Sequence, residues 1–209
     1  MRKLHKLVIA GVAVAAVSVS TVGYHAVASK EPANAVSYTH LKELPDEWKG
    51  IEVFDYTGRI IFPGMCDLHM HAPQYAFRGI GMNLENPDWD MWFEKYAFPD
   101  EKRYEDCEYA GKAYERLTDD LLKTTTTRCV MFGTLHRQST EILMDLLEEK
   151  GIAAYVGKVN MDRNSIPGLL ETTKESLEET RRWIADCETK QYKKCRPMIT
   201  PRYIPTRCV

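Results

Sequence analysis

Phe62-Pro63-Gly64-Met65-Cys66-Asp67-Leu68-His69-Met70-His71-Ala72-Pro73-Gln74-Tyr75 is the stretch on which the fold turns. Pro63-Gly64 closes the unit before it, and residues 65–69 read as a short strand. Side chains two apart on a strand project to the same side, so His69 and His71 can present imidazole nitrogens to one point beyond the strand's end. That arrangement suits a divalent metal. Imidazole binds zinc at about 2.0–2.1 Å, and a catalytic zinc keeps one position for water, lowering its pKa to about 7. Two histidines supply only part of such a shell, and a bare His-x-His pair also occurs on surfaces and in cores.

Strands and helices alternate downstream of this stretch. Residues 109–123 read as a helix with Ala110, Ala113, Tyr114, Leu117, Leu121 and Leu122 on one face, and 128–132 as a strand. A helix follows over 140–150, with Ile142, Leu143, Leu146 and Leu147 at helical spacing and Gly151 as its stop. Residues 153–159 form the next strand. Thr172 and Glu175 have capping-box spacing and open a charged helix to about 187 that packs Leu177, Trp183 and Ile184; 197–200 reads as one more strand. Such alternation marks βαβ units and an α/β class with parallel strands. Periodicity does not say whether the sheet is open or closed, and four such strands would make half of an eight-stranded barrel.

Upstream of the stretch, 52–56 and 59–62 are strand-like runs separated by Thr57-Gly58. Residues 1–29 have the grammar of export: Arg2, Lys3 and Lys6 precede an apolar run, and Ala26-Val27-Ala28 has the form of a signal-peptidase site. A polar, breaker-rich linker covers 30–43, and 44–209 make the main domain. The 209 residues carry a net charge of −2 with both signs interspersed, which argues against a nucleic-acid-binding surface. The six cysteines show no Cys-x-x-Cys pairing and read as reduced thiols.

The Pro-Gly-x-x-Asp-x-His-x-His order resembles the first-strand signature of the amidohydrolase superfamily. Further landmarks follow in order: His71-Ala72-Pro73-Gln74-Tyr75, Trp92 to Pro99, Phe132-Gly133-Thr134-Leu135-His136, Gly157 to Asn164, and Thr200-Pro201-Arg202-Tyr203. Together they resemble the guanine deaminase family over about 44–205. The resemblance implies the first half of a (β/α)8 barrel, zinc held by His69 and His71, and Gln74, Arg202 and Tyr203 against a purine. Gln offers a donor and an acceptor and Arg a fork of donors, the mixture a purine edge requires. Read without the family, Gln74 is a loop-stabilising amide and Arg202 a surface ion-pair partner. Two departures stand out: Tyr203 occupies a position where the family commonly has Phe, and Thr124 to Thr127 occupy one where a Gly often starts the second strand. Trp92, Phe93 and Tyr96 read either as a base-stacking wall or as core, and His136 as a structural loop residue.

The implied reaction is zinc-dependent hydrolytic deamination of guanine to xanthine and ammonia, a step of purine catabolism, carried out by a cytoplasmic homodimer. The family's remaining ligands and its catalytic Glu and Asp belong to later strands, beyond residue 209, so the expectation for this chain is a truncated form, inactive alone. Alternatives are another amidohydrolase acting on a pterin, triazine or different purine, a non-catalytic exported fragment, and a misjoined reading frame.

Overall fold

A computed structural model describes residues 5–10, 13–19, 24–25, 53–55, 63–81, 88–202 and 206. The chain divides into two compact units, 1–63 and 64–209. In the first, strands β1 (His5–Ala10), β2 (Ala13–Val19), β3 (Tyr24–His25) and β4 (Val53–Asp55) form a sheet ordered β3-β2-β1-β4. The β1–β2 and β2–β3 pairs are antiparallel, while β4 runs parallel to β1. The apolar run read as an export signal thus folds as a hairpin, in keeping with its valine content. The linker at 30–43 and the strand-like run at 59–62 lie outside the described residues. No helix among the described residues is long and apolar enough to cross a membrane.

The second unit is a parallel sheet with helical crossovers. Strands β5 (Met65–His71), β6 (Thr126–Phe132), β7 (Ala153–Gly157) and β9 (Cys195–Pro197) lie side by side in that order, every pair parallel. Helices α3 (Cys107–Leu121), α4 (Arg137–Glu149) and α5 (Thr173–Lys190) connect successive strands. Two short strands, β8 (Val159–Asn160) and β10 (Thr200–Pro201), pair parallel beyond the ends of β7 and β9. The single strands expected over 153–159 and 197–200 are therefore each replaced by two shorter pieces.

Each helix forms where its apolar residues recur at helical spacing, and its ends carry recognisable signals. Asp106 caps α3 by accepting from the Glu108 and Tyr109 amides, so the helix begins two residues before the expected start. Thr172 and Glu175 complete the expected capping box on α5. Gly151, at φ 75°, follows the C-cap of α4, a left-handed backbone that suits glycine.

The core lies between these helices and one face of the sheet. Tyr114 and Leu117 of α3, Leu143 and Leu147 of α4, and Trp183 of α5 pack with Met131, Ala154 and Val156 of the strands. Two expected core residues are not in it: Leu122 lies past the end of α3 and Leu177 lies near the start of α5, and both are exposed. The opposite face of the sheet presents Leu68 and Tyr155, which are 74% and 54% exposed. Alternation along β7 produces this two-faced character there, with Ala154 and Val156 buried on either side of Tyr155.

Close backbone approach aligns the strand ends. Gly133 donates its N–H to the Gly157 carbonyl at 2.8 Å, and a β-carbon at 133 would stand 2.8 Å from the Thr140 methyl. Glycine is needed there for space. The five described cysteines, Cys66, Cys107, Cys129, Cys187 and Cys195, are unbridged.

Candidate active site

His69 and His71 arrive together at the C-terminal end of β5, the end at which parallel-sheet folds place their chemistry. The strand's pairing with β6 is irregular between Asp67 and Met70. Asp67 turns its carboxylate back onto the strand and accepts from the His69 amide at 3.1 Å, tying down this irregular segment. The two imidazole centroids stand 5.1 Å apart, and the His71 ring stacks on Phe132 at 4.6 Å. Phe132, the last residue of β6, also meets the His69 ring edge-on at 5.4 Å.

The two rings pass a simple test of fit to a metal. A tetrahedral zinc holding each imidazole nitrogen at about 2.0–2.1 Å brings two ring centroids to about 5 Å of one another. Burial, reinforced by the nearby Arg202 guanidinium, lowers the pKa of His71 to about 4, so the ring stays neutral, the ligating form. His71 Nδ1 is buried without a hydrogen-bond partner among the described residues. No group of three or more His, Cys, Asp or Glu side chains able to hold an ion is present among the described residues. His69 and His71 could hold zinc in part, with further ligands needed to complete the shell.

Beyond β5 the chain turns through a two-turn 3-10 helix, Ala72–Phe77, with Pro73 in its first turn. Tyr104 donates to the Pro73 carbonyl at 3.0 Å and fixes this turn from below. Gln74 sits on it and faces a cavity of 490 Å³ whose lining also includes His69, His71, Arg202, Trp92 and Phe93. Four of the five residues singled out from the sequence thus share one cavity. Tyr203 lies outside the described residues.

A residue absent from the sequence reading links two of these four. Glu101, on α2 (Phe98–Lys102), accepts from Arg202 through both carboxylate oxygens, Oε1 from Nη2 at 2.8 Å and Oε2 from Nη1. Its Oε1 also accepts from Gln74 Nε2 at 3.0 Å. Glu101 is only 2% exposed and Arg202 8%. The guanidinium carbon stands 5.6 Å from the Phe93 ring centroid and 5.7 Å from that of Phe98. Arg202 is therefore a buried cation flanked by the Phe93 and Phe98 rings and not the surface ion-pair partner that its sequence alone suggested. The signal that could have located α2 is Pro99-Asp100-Glu101, a proline followed by two acids at a helix start.

The aromatic residues divide. Trp92 of α1 (Trp89–Trp92) and Phe93 of the following π-helical turn (Phe93–Ala97) line the cavity with ring centroids 5.4 Å apart, and Trp92 is anchored by donating to the Ile80 carbonyl. Tyr96 is not part of that lining. His136 is the N-cap residue of α4 and belongs to a separate surface depression with Glu105 and Glu171. Its burial lowers its pKa.

The model of the amidohydrolase family matches residues 60–203. The chain belongs to that family. This amidohydrolase is 40% identical over 166 residues to the guanine deaminase of Rattus norvegicus, covering 78% of the chain and 36% of the rat protein. To the guanine deaminase of Escherichia coli it is 36% identical over 167 residues, covering 78% of the chain and 35% of that relative. The chain thus spans about a third of the length of these curated relatives. A crystal structure of guanine deaminase from C. acetobutylicum with guanine bound in its active site superimposes with a TM-score of 0.78 at 34% identity, covering 98% of this chain and 46% of that one.

Proposed function

We propose that this amidohydrolase takes part in the zinc-dependent hydrolytic deamination of guanine to xanthine and ammonia, as in purine catabolism. The observation that carries the reading is the single cavity shared by two imidazoles, His69 and His71, and two purine-matching side chains, Gln74 and Arg202. Similarity to guanine deaminases supports the choice of substrate. Zinc, when bound, supplies the Lewis acidity that makes water a nucleophile near neutral pH. His69 and His71 hold it. Arg202 donates to acceptors on the ring, Gln74 supplies the complementary polar contact, and Tyr203 is assigned to the neighbouring substrate position. Trp92 and Phe93 cover the base and keep bulk water from it.

In this reading β5, β6, β7 and β9 are the first four strands of an eight-stranded barrel. His69 and His71 supply two of the zinc ligands, and the shell needs further donors to be complete. Resemblance to the family supports reading the enzyme as a cytoplasmic homodimer. A panel of guanine, a pterin and a triazine, each titrated into the zinc-loaded chain, tests the substrate assignment. Guanine binding tightest supports it; a pterin or triazine binding tightest overturns it in favour of another amidohydrolase activity.

A further inference from the structure

We propose that Glu101 is a positioning residue that sets the hydrogen-bonding polarity of the cavity, forcing Gln74 to present an acceptor and Arg202 to present donors to the bound heterocycle. The ligand class rests on the guanine deaminase reading; the polarity itself rests on Glu101.

An ionised carboxylate only accepts hydrogen bonds. Glu101 Oε1 receives Gln74 Nε2 at 3.0 Å, and that contact decides which way round the amide lies. An amide turned the other way would set oxygen against oxygen. Gln74 Oε1 is therefore left as the free acceptor of a side chain that lines the cavity. Glu101 also takes one N–H from each terminal nitrogen of Arg202, leaving donors on the guanidinium for other partners. Contact with Phe93 and Phe98 helps hold the guanidinium in place. The cavity edge consequently offers an acceptor beside a donor, and its complement is a ring N–H beside a carbonyl. Guanine carries such a lactam edge. A purine without that N–H and carbonyl leaves both protein groups unmatched on binding, which is costly.

The test uses 2-aminopurine, which keeps the ring and the amino group of guanine but lacks the lactam N–H and carbonyl. Its fluorescence reports binding to the 209-residue chain directly, and guanine is measured by displacement. The wild-type chain is expected to prefer guanine by at least about tenfold. In E101Q the amide at 101 can donate as well as accept, Gln74 is free to turn, and the preference falls towards one. A residue that served only to hold the structure together would weaken both ligands equally and leave the ratio unchanged. An unchanged ratio in E101Q overturns the proposal, and so does a wild-type chain without preference. If E101Q lacks the wild-type circular dichroism, Q74L decides: it removes the acceptor and leaves the ion pair, and the ratio must collapse. Ammonia release by the complete enzyme is scored separately. A lactam preference without ammonia release sinks the deaminase reading and leaves Glu101's role standing.

Discussion

Glu101 and Arg202, 101 residues apart in the chain, meet in a two-point ion pair in which each side chain is 3% exposed. Such a pair is held by its geometry, and removal of one partner strands a buried charge. E101A is expected to lose about 3–5 kcal/mol of stability, whereas the apolar double replacement E101L/R202M loses far less or none. Urea denaturation of the two variants beside the wild type measures the difference. A double variant as unstable as the single one would show that the pair's surroundings, and not the stranded charge, carry the cost.

Zinc content separates the two histidines of β5 from His136 at the N-cap position of α4. After zinc loading and dialysis, H69A and H71A are expected to retain several-fold less metal than the wild type, and H136A to retain as much. Elemental analysis gives the answer. Loss of zinc from H136A alone would move the metal to the wrong part of the molecule.

Acid should weaken the fold through its buried imidazoles. His71 and His136 both have pKa values lowered by burial, His71 to about 4. Below about pH 6.5 the unfolded chain binds protons at these rings that the folded chain does not. Their contribution is thus fully present above that pH and is lost as pH falls, down to about 4 for His71. Denaturation midpoints of the metal-free chain between pH 8 and 5 should decline, with a shallower slope in H136N. An identical slope in that variant would exclude His136 as a source.

The uncovered face of the second sheet predicts poor solubility. Leu68 and Tyr155 present apolar surface there, and β5 and β9 are edge strands of that sheet. Light scattering of the isolated chain should report aggregation that the double substitution L68S/Y155S reduces by at least about half. Aggregation unchanged by those substitutions would place the sticky surface elsewhere.

Much of this architecture is legible from local patterning. Period-two placement of His69 and His71 and period-3.6 placement of Leu143 and Leu147 depend on neighbours within a few residues, and both appear where the pattern puts them. Gln74 and Arg202 were legible only through the ordered landmarks around them. Glu101 was not legible at all, because a charged residue on a short helix reads as a solvated one until its partner, far along the chain, is brought to it. The helical run that carries it is broken into α, π and 3-10 pieces from Trp89 to Glu105, so no single period marks it. Leu122 and Leu177 show the converse failure: helical spacing assigns them to the core, yet Leu122 lies past the end of α3 and both are exposed.

The most direct test of the central claim is xanthine formation from guanine, followed by absorbance, when the zinc-loaded chain is combined with the separately produced C-terminal part of a guanine deaminase. The account predicts xanthine and ammonia in equal amounts from the combination, and loss of both in H69A or H71A. A folded, zinc-containing combination that leaves guanine untouched while deaminating another heterocycle would contradict it.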